Sequence, residues 1–170
     1  MSKKTKGILI IGISLLIYGY LCRSLNIYFF WDSKSLGWIV IFIGLIFYLF
    51  DLNKIRTAKG QKTIWIRIGI GFAIFALALS VAIIFILKKS EPYSIAIEYL
   101  KTDQLIEEEI GEVHSFGLIP TGAVSSVTTN GAESGIADLS LTVEGRLKNK
   151  DVEVHLEKTP GTSWTVTSVR

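Results

Sequence analysis

The chain has one cysteine, two histidines, three prolines and no methionine beyond the first residue in a length of 170. A lone Cys22 excludes an internal disulfide, and the expectation for it is a buried thiol. The motif Gly19-Tyr20-Leu21-Cys22 lacks the small residue that a lipoprotein cleavage site wants before its cysteine. The apolar stretches contain no His and no Met after Met1, so neither a haem nor a copper centre is expected in them. The first ninety residues contain no Glu and only Asp32 and Asp51. Without a buried carboxylate relay or an inverted repeat, they do not read as a transporter. No Ala-x-Ala-like site follows Met1–Lys6, and the apolar stretch after it exceeds a usual signal-peptide core, so a retained anchor is expected. An Arg-rich presequence is missing as well, which favours a bacterial cytoplasmic membrane over an organelle.

What is present divides the chain. Residues 1–90 carry twelve bases and two acids, a balance of +10; residues 91–170 carry six bases and thirteen acids, a balance of −7. Three apolar runs lie in the first part, at about 7–27, 36–52 and 64–87. A spanning helix needs roughly 20 apolar residues, and the second run, flanked by Trp38 and Tyr48, is the shortest. The expected domains are a membrane domain over 1–89 and a soluble domain over 90–170. About eighty residues suffice to bury one core.

Orientation follows from the basic residues. Lys3, Lys4 and Lys6 precede the first run, and Lys54, Arg56, Lys59 and Lys62 follow the second. The positive-inside rule puts both groups in the cytoplasm and the C-terminal domain outside. Lys88 and Lys89, just past the third run, argue weakly the other way. Arg23 and Asn26 are expected at the membrane interface. Gly12 and Gly19, and Gly37 and Gly44, are spaced seven apart, while Gly69, Ala73, Ala76 and Ser80 follow a four-three-four pattern. Small residues let helices approach in lipid. The expectation is packing among the three helices, with docking on another membrane protein as the alternative.

In the second part, Ser90-Glu91-Pro92 opens a helix, whose pairs Ile95/Tyr99 and Ala96/Leu100 form an apolar stripe. Thr102 or Asp103 caps a second short helix with Glu107–Glu109 as its solvated face, and Gly111 ends it. The period then becomes two. Val113–Ile119 reads as a weak strand, Pro120 with Gly122 as a turn, and Val124–Thr129 as a strand running into an Asn130-Gly131 hairpin. Ala137, Leu139, Leu141 and Val143 alternate on the next strand. Lys148–Asp151 is expected to turn the chain. Val152, Val154 and Leu156 alternate again, Pro160-Gly161 turns, and Trp164, Val166 and Ser168 lie on the last strand. The expected domain is α+β: a helix pair across an antiparallel meander of about five strands.

Chemistry-bearing patterns are sparse. His155 shares an outward strand face with Glu153 and Glu157 and reads as solvated; His114 follows a helix end. Two histidines without cysteine do not make a metal site. The serines show no nucleophile-elbow pattern, and the glycines fit turns and bulges rather than a phosphate loop. No enzyme, cofactor, metal or nucleic-acid partner is expected.

One set of motifs is Tyr93-x-x-Ala96-x-Glu98-Tyr99-Leu100-Lys101, then Ile106 to Ile110-Gly111-Glu112, Gly122, Ala137-x-Leu139-x-Leu141-x-Val143-x-Gly145, and Trp164-x-Val166-x-Ser168. Over about residues 88–170 this resembles the cytochrome oxidase complex assembly protein 1 family, whose domain is similar to the soluble domain of a mitochondrial protein-translocase subunit. That family usually has one span, against three here, and a glycine-rich hairpin where this chain has Arg146-Leu147-Lys148-Asn149-Lys150-Asp151. The resemblance implies a non-catalytic membrane protein that helps assemble respiratory oxidase or holds membrane complexes together, its partners being the bilayer and another membrane protein. It implies that Tyr93, Ala96, Tyr99, Leu100, Gly111, Gly122, Ala137, Leu139, Gly145 and Trp164 are structural. The alternative reading is a sensor or regulatory subunit whose domain binds a peptide or small ligand, with Val124–Thr129 as the strand a peptide would join.

Overall fold

The structure, a computed structural model, describes every residue except Asn26, Tyr28 and Asn130, and describes Ala132 by its backbone alone. The interfacial place expected for Asn26, the Tyr28 end of the aromatic tail, and Asn130 of the Asn130-Gly131 hairpin therefore lie outside the described residues. The chain divides into two compact units, Met1–Ala82 and Ile83–Arg170.

The first unit holds α1 (Lys3–Leu25), α2 (Ser33–Ala58) and most of α3 (Ile64–Lys88). All three are long and apolar enough to cross a membrane. Their ends differ from the apolar runs. The first helix begins at Lys3 rather than residue 7. The second takes in Lys34 at its start and Lys54 and Arg56 at its end, which the sequence had placed in a loop. Lys and Arg are good helix formers, so the hydrogen-bonded backbone continues after the apolar run stops. Helix α2 ends where Gly60 takes a positive φ of 67°.

Glycines build the α1–α2 seam. A Cβ at Gly12 would lie 2.7 Å from Ile41, one at Gly37 2.8 Å from the Leu16 backbone nitrogen, and one at Gly44 2.6 Å from Leu9; Gly19 meets the Lys34 backbone as closely. The seven-residue spacing is thus the mutual packing of α1 and α2. At one end of the seam the buried Thr5 hydroxyl and the Ser2 amide donate to Asp51, at 2.8 and 2.5 Å. At the other, Arg23 donates to the Trp31 carbonyl at 3.0 Å and lies 4.9 Å from the Trp31 ring centre, and Cys22 is fully buried. The small-residue pattern of α3 does not make a seam of this kind. Ala73 is buried, but Gly69 has open space beside it and Ser80 is exposed.

The second unit begins inside α3, earlier than residue 90, because Leu87 joins its core. Helix α4 (Glu91–Thr102) starts at Ser90, whose hydroxyl accepts from the Tyr93 amide, with Pro92 in the first turn. Asp103 caps α5 (Gln104–Ile110), accepting from the Leu105 and Ile106 amides at 2.8 and 3.3 Å. Gly111 ends it at a φ of 78°. Five strands follow: β1 (Val113–Phe116), β2 (Thr121–Thr129), β3 (Ala132–Gly145), β4 (Asn149–Lys158) and β5 (Thr165–Val169).

The fold is α+β, with an antiparallel sheet. Strands β2 to β5 form a meander, but β1 does not add a fifth column. It pairs with residues 143–145 of β3 while β2 pairs with residues 132–140, so the two lie end to end on one side of β3. The Gly117 amide, bonded to the Thr142 carbonyl at 2.8 Å, carries the chain from one to the other, and Pro120 has no amide to pair. Other local expectations shift with this. Gly122 lies inside β2, not in a turn, with its backbone pressed on the Asp138 carbonyl. The β3–β4 turn is at 146–148, since β4 already begins at Asn149, and Trp164 just precedes β5.

The core lies between α4–α5 and one face of the sheet. Ala96, Leu100, Ile106 and Ile110 meet Ala137, Leu139, Leu141, Val143, Val152, Val154, Leu156 and Trp164. Burying each large apolar side chain contributes about 1.5–3 kcal/mol. Tyr99 departs from the expected stripe: it is exposed, and Ile95 only half-buried, because the buried line of α4 runs through Pro92, Ala96 and Leu100.

Candidate binding face

Strand alternation gives the sheet a second face that the helices do not cover. Residues between the core positions point there: Asp138, Ser140 and Thr142 on β3, then Asp151, Glu153, His155 and Glu157 on β4. A cleft of about 600 Å³ opens on this side, lined by Gly122, Ala123, Asp138, Ser140, Glu153, His155, Ser168 and Arg170, with Leu139 and Val154 behind them.

His155 has a carboxylate at each ring nitrogen there. It sits directly opposite Asp138 in the β3–β4 register, and its Nδ1 lies 2.5 Å from the Asp138 carboxylate. Glu157, two residues along the same strand face, approaches Nε2 at 3.4 Å. The expected solvated histidine is therefore half-buried and flanked by carboxylates at both nitrogens. The Asp138 hydrogen bond, helped by Glu157 and opposed by desolvation, raises the imidazole pKa above 6.5. Close by, Thr142 donates to Asp151 at 2.6 Å, Ser115 donates to Glu144, and Glu153 and Arg170 exchange two backbone hydrogen bonds of 3.0 Å.

Two further ion-pair groups fasten helices to the sheet. Lys158 reaches Glu133 at 2.7 Å and Glu91 in the first turn of α4 at 3.5 Å. Glu109 binds Lys148 at 2.8 Å and Lys150 at 2.6 Å, and these two hydrogen-bonded cations hold its pKa at about 2. Glu109 is thus a tie from α5 to the β3–β4 turn rather than part of a free acidic face, while Glu107 and Glu108 remain exposed.

The residues carrying the family-like motifs mostly lie elsewhere. Ala96, Leu100, Ala137 and Leu139 are core, and Tyr93 is half-buried against it, its hydroxyl pKa raised by burial. Tyr99 faces solvent with its hydroxyl beside Asp103. Gly111 turns the chain under Leu147, Gly145 receives the Ile110 carbonyl, and Trp164 covers Gly135. Only Gly122 and Leu139 also touch the cleft. Asp138, Glu153 and Arg170 line the cleft from outside the motifs, and Ser168 enters them only as a strand position. Their signal is the polar half of the alternation, which marks a face but not its partners.

The open face offers hydrogen-bonding and ionic groups over a broad, shallow surface. Among the described residues, no group of three or more His, Cys, Asp or Glu side chains is arranged to hold a metal ion. The chain matches no protein-family profile, no curated protein and no solved structure.

Proposed function

We propose that this is a non-catalytic integral membrane protein that presents the α+β domain outside the membrane as a docking module, acting as an assembly or scaffolding factor for a respiratory oxidase or another membrane complex. One observation carries the reading: the sheet has one face sealed by α4 and α5 and the other left open, with polar groups there held across strands by the Asp138–His155 and Thr142–Asp151 hydrogen bonds. A surface ordered before binding loses less entropy on docking. The three apolar helices support membrane residence. The clustering of Lys3, Lys4, Lys6, Lys59 and Lys62 supports a cytoplasmic N-terminus and an external domain. The resemblance over residues 88–170 supports the oxidase assignment.

The test is isolation of the tagged full chain from its native membrane in mild detergent. Co-purified oxidase subunits, lost when Asp138→Lys and Glu153→Lys are combined, support the proposal. Recovery of the protein alone sinks it. The open cleft of about 600 Å³ favours a second reading, a regulatory subunit that binds a small ligand there; a soluble ligand or a signalling protein in the same isolate supports that instead.

A further inference from the structure

The three exposed sheet margins are not alike. Strand β1 has four residues and a register break between Val113 and Ser115; β5 has five residues, and its pairing breaks at His155/Leu156. Short length and irregular register are the usual devices that keep an edge from pairing. Strand β2 has neither. It pairs with β3 through nine consecutive residues without a break, and all nine are exposed. Its sequence, Thr121-Gly-Ala-Val-Ser-Ser-Val-Thr-Thr129, contains no charge and no proline. Its far side therefore carries a row of backbone donors and acceptors that the sheet does not use.

We propose that this edge pairs with β2 of a second copy of the chain, giving a two-fold dimer with one continuous antiparallel sheet. A two-fold axis normal to the sheet brings together residues of the same face. Centring it on Ser125 puts that residue beside its equivalent, Val124 beside Ser126, Ala123 beside Val127, and Gly122 beside Thr128. Every pair is uncharged, and each contact is made twice, residue i of one copy on j of the other and the reverse, as an isologous interface requires. The two Ser125 hydroxyls, opposite each other, can hydrogen-bond across the contact. The nearest acids on β3 have partners within the chain, Glu133 in Lys158 and Asp138 in His155, and the paired strands themselves bring no charge to the contact. Val127, 60% exposed in one chain, is covered by the contact. Tethering in one membrane raises the effective concentration of the two edges.

The experiment uses the full chain in membranes, with Cys22→Ala as background. Ser125→Cys is expected to form an interchain disulfide under mild oxidation, and Thr167→Cys on β5 to form none. In detergent, Val127→Lys and, separately, Ser125→Lys are expected to weaken dimerisation at least tenfold, with the circular dichroism spectrum unchanged. A monomer throughout, equal trapping at Ser125→Cys and Thr167→Cys, a dimer indifferent to both lysines, or an edge cross-linked to a different protein overturns the proposal.

Discussion

Trp164 covers Gly135: a Cβ built at residue 135 would lie 2.7 Å from Cη2 of the indole and 2.8 Å from the Ser125 carbonyl oxygen. The ring is 4% exposed, and glycine is what lets it lie on β3 beside the β2 backbone. Gly135→Ala should destabilise the domain by about 1–3 kcal/mol, the usual cost of overpacking. Chemical denaturation of the full chain, followed by the Trp164 signal in a variant lacking the other three tryptophans, checks this. An unchanged midpoint would show that the indole moves aside freely.

Glu109 supplies a pH dependence on the acid side. Its folded pKa, about 2, lies below the ordinary carboxylate value of 4.5 because Lys148 and Lys150 hold the ionised form. The stabilisation is therefore present above pH 4.5 and is lost as pH falls towards 2. With 41% of its side chain exposed, solvent screens each pair, leaving about 0.2–1 kcal/mol apiece. Glu109→Gln should flatten the stability profile between about pH 4.5 and 2 while leaving the profile above pH 6 unaltered in slope.

His155 acts in the opposite direction. Its folded pKa is raised, so its contribution is full below pH 6.5 and disappears as pH rises through the folded value. Removing the Asp138 charge takes away the largest cause. Asp138→Asn should move the His155 titration, read by nuclear magnetic resonance of the ring protons, down towards the ordinary value. Glu157→Gln should move it less, because Glu157 sits 3.4 Å from the ring against 2.5 Å for Asp138. Equal shifts from the two variants would contradict the geometry.

Membrane orientation has a direct readout. Gln61, between α2 and α3, and Ser163, between β4 and β5, are both exposed. In a Cys22→Ala background, Gln61→Cys should react with an impermeant thiol reagent only after the membrane is opened from the cytoplasmic side. Ser163→Cys should react in intact cells. The reverse pattern would place the domain in the cytoplasm and remove the oxidase-assembly reading with it.

Local rules carried the reading furthest where a structure is made by neighbours in sequence. Ser90, Asp103 and Gly111 bound their helices because capping needs only residues two to four positions away. The alternation from Ala137 to Val143 and from Val152 to Leu156 identified both central strands and their buried face. What escaped depends on distant partners. Pairing of β1 and β2 along the same side of β3 is set by contacts about thirty residues away or less regular than a hairpin, and no local pattern encodes it. The Asp138–His155 pair exists only through the β3–β4 register. The helices of the membrane unit outrun the apolar stretches because hydropathy reports where apolar residues stop, not where backbone hydrogen bonding stops.

The seven-residue glycine spacing was legible because it is two turns of a helix, and it sets the most discriminating mutational contrast in the membrane unit. At Gly37 a side chain would press on the backbone of α1, 2.8 Å from the Leu16 nitrogen and 3.1 Å from the Gly12 carbonyl oxygen. Backbone cannot move aside as a side chain can, so α1 and α2 must separate. Gly71 on α3, by contrast, has nothing within 4 Å of the same position. Gly37→Val should therefore lower the thermal stability of the detergent-solubilised protein by about 1–3 kcal/mol or more. It should also abolish disulfide trapping between cysteines placed at Leu9 and Gly44, which face each other across the seam. Gly71→Val, the same chemical change in a more apolar helix, should leave both readouts within experimental scatter. If the two valines behave alike, the α1–α2 contact is not held by close backbone approach.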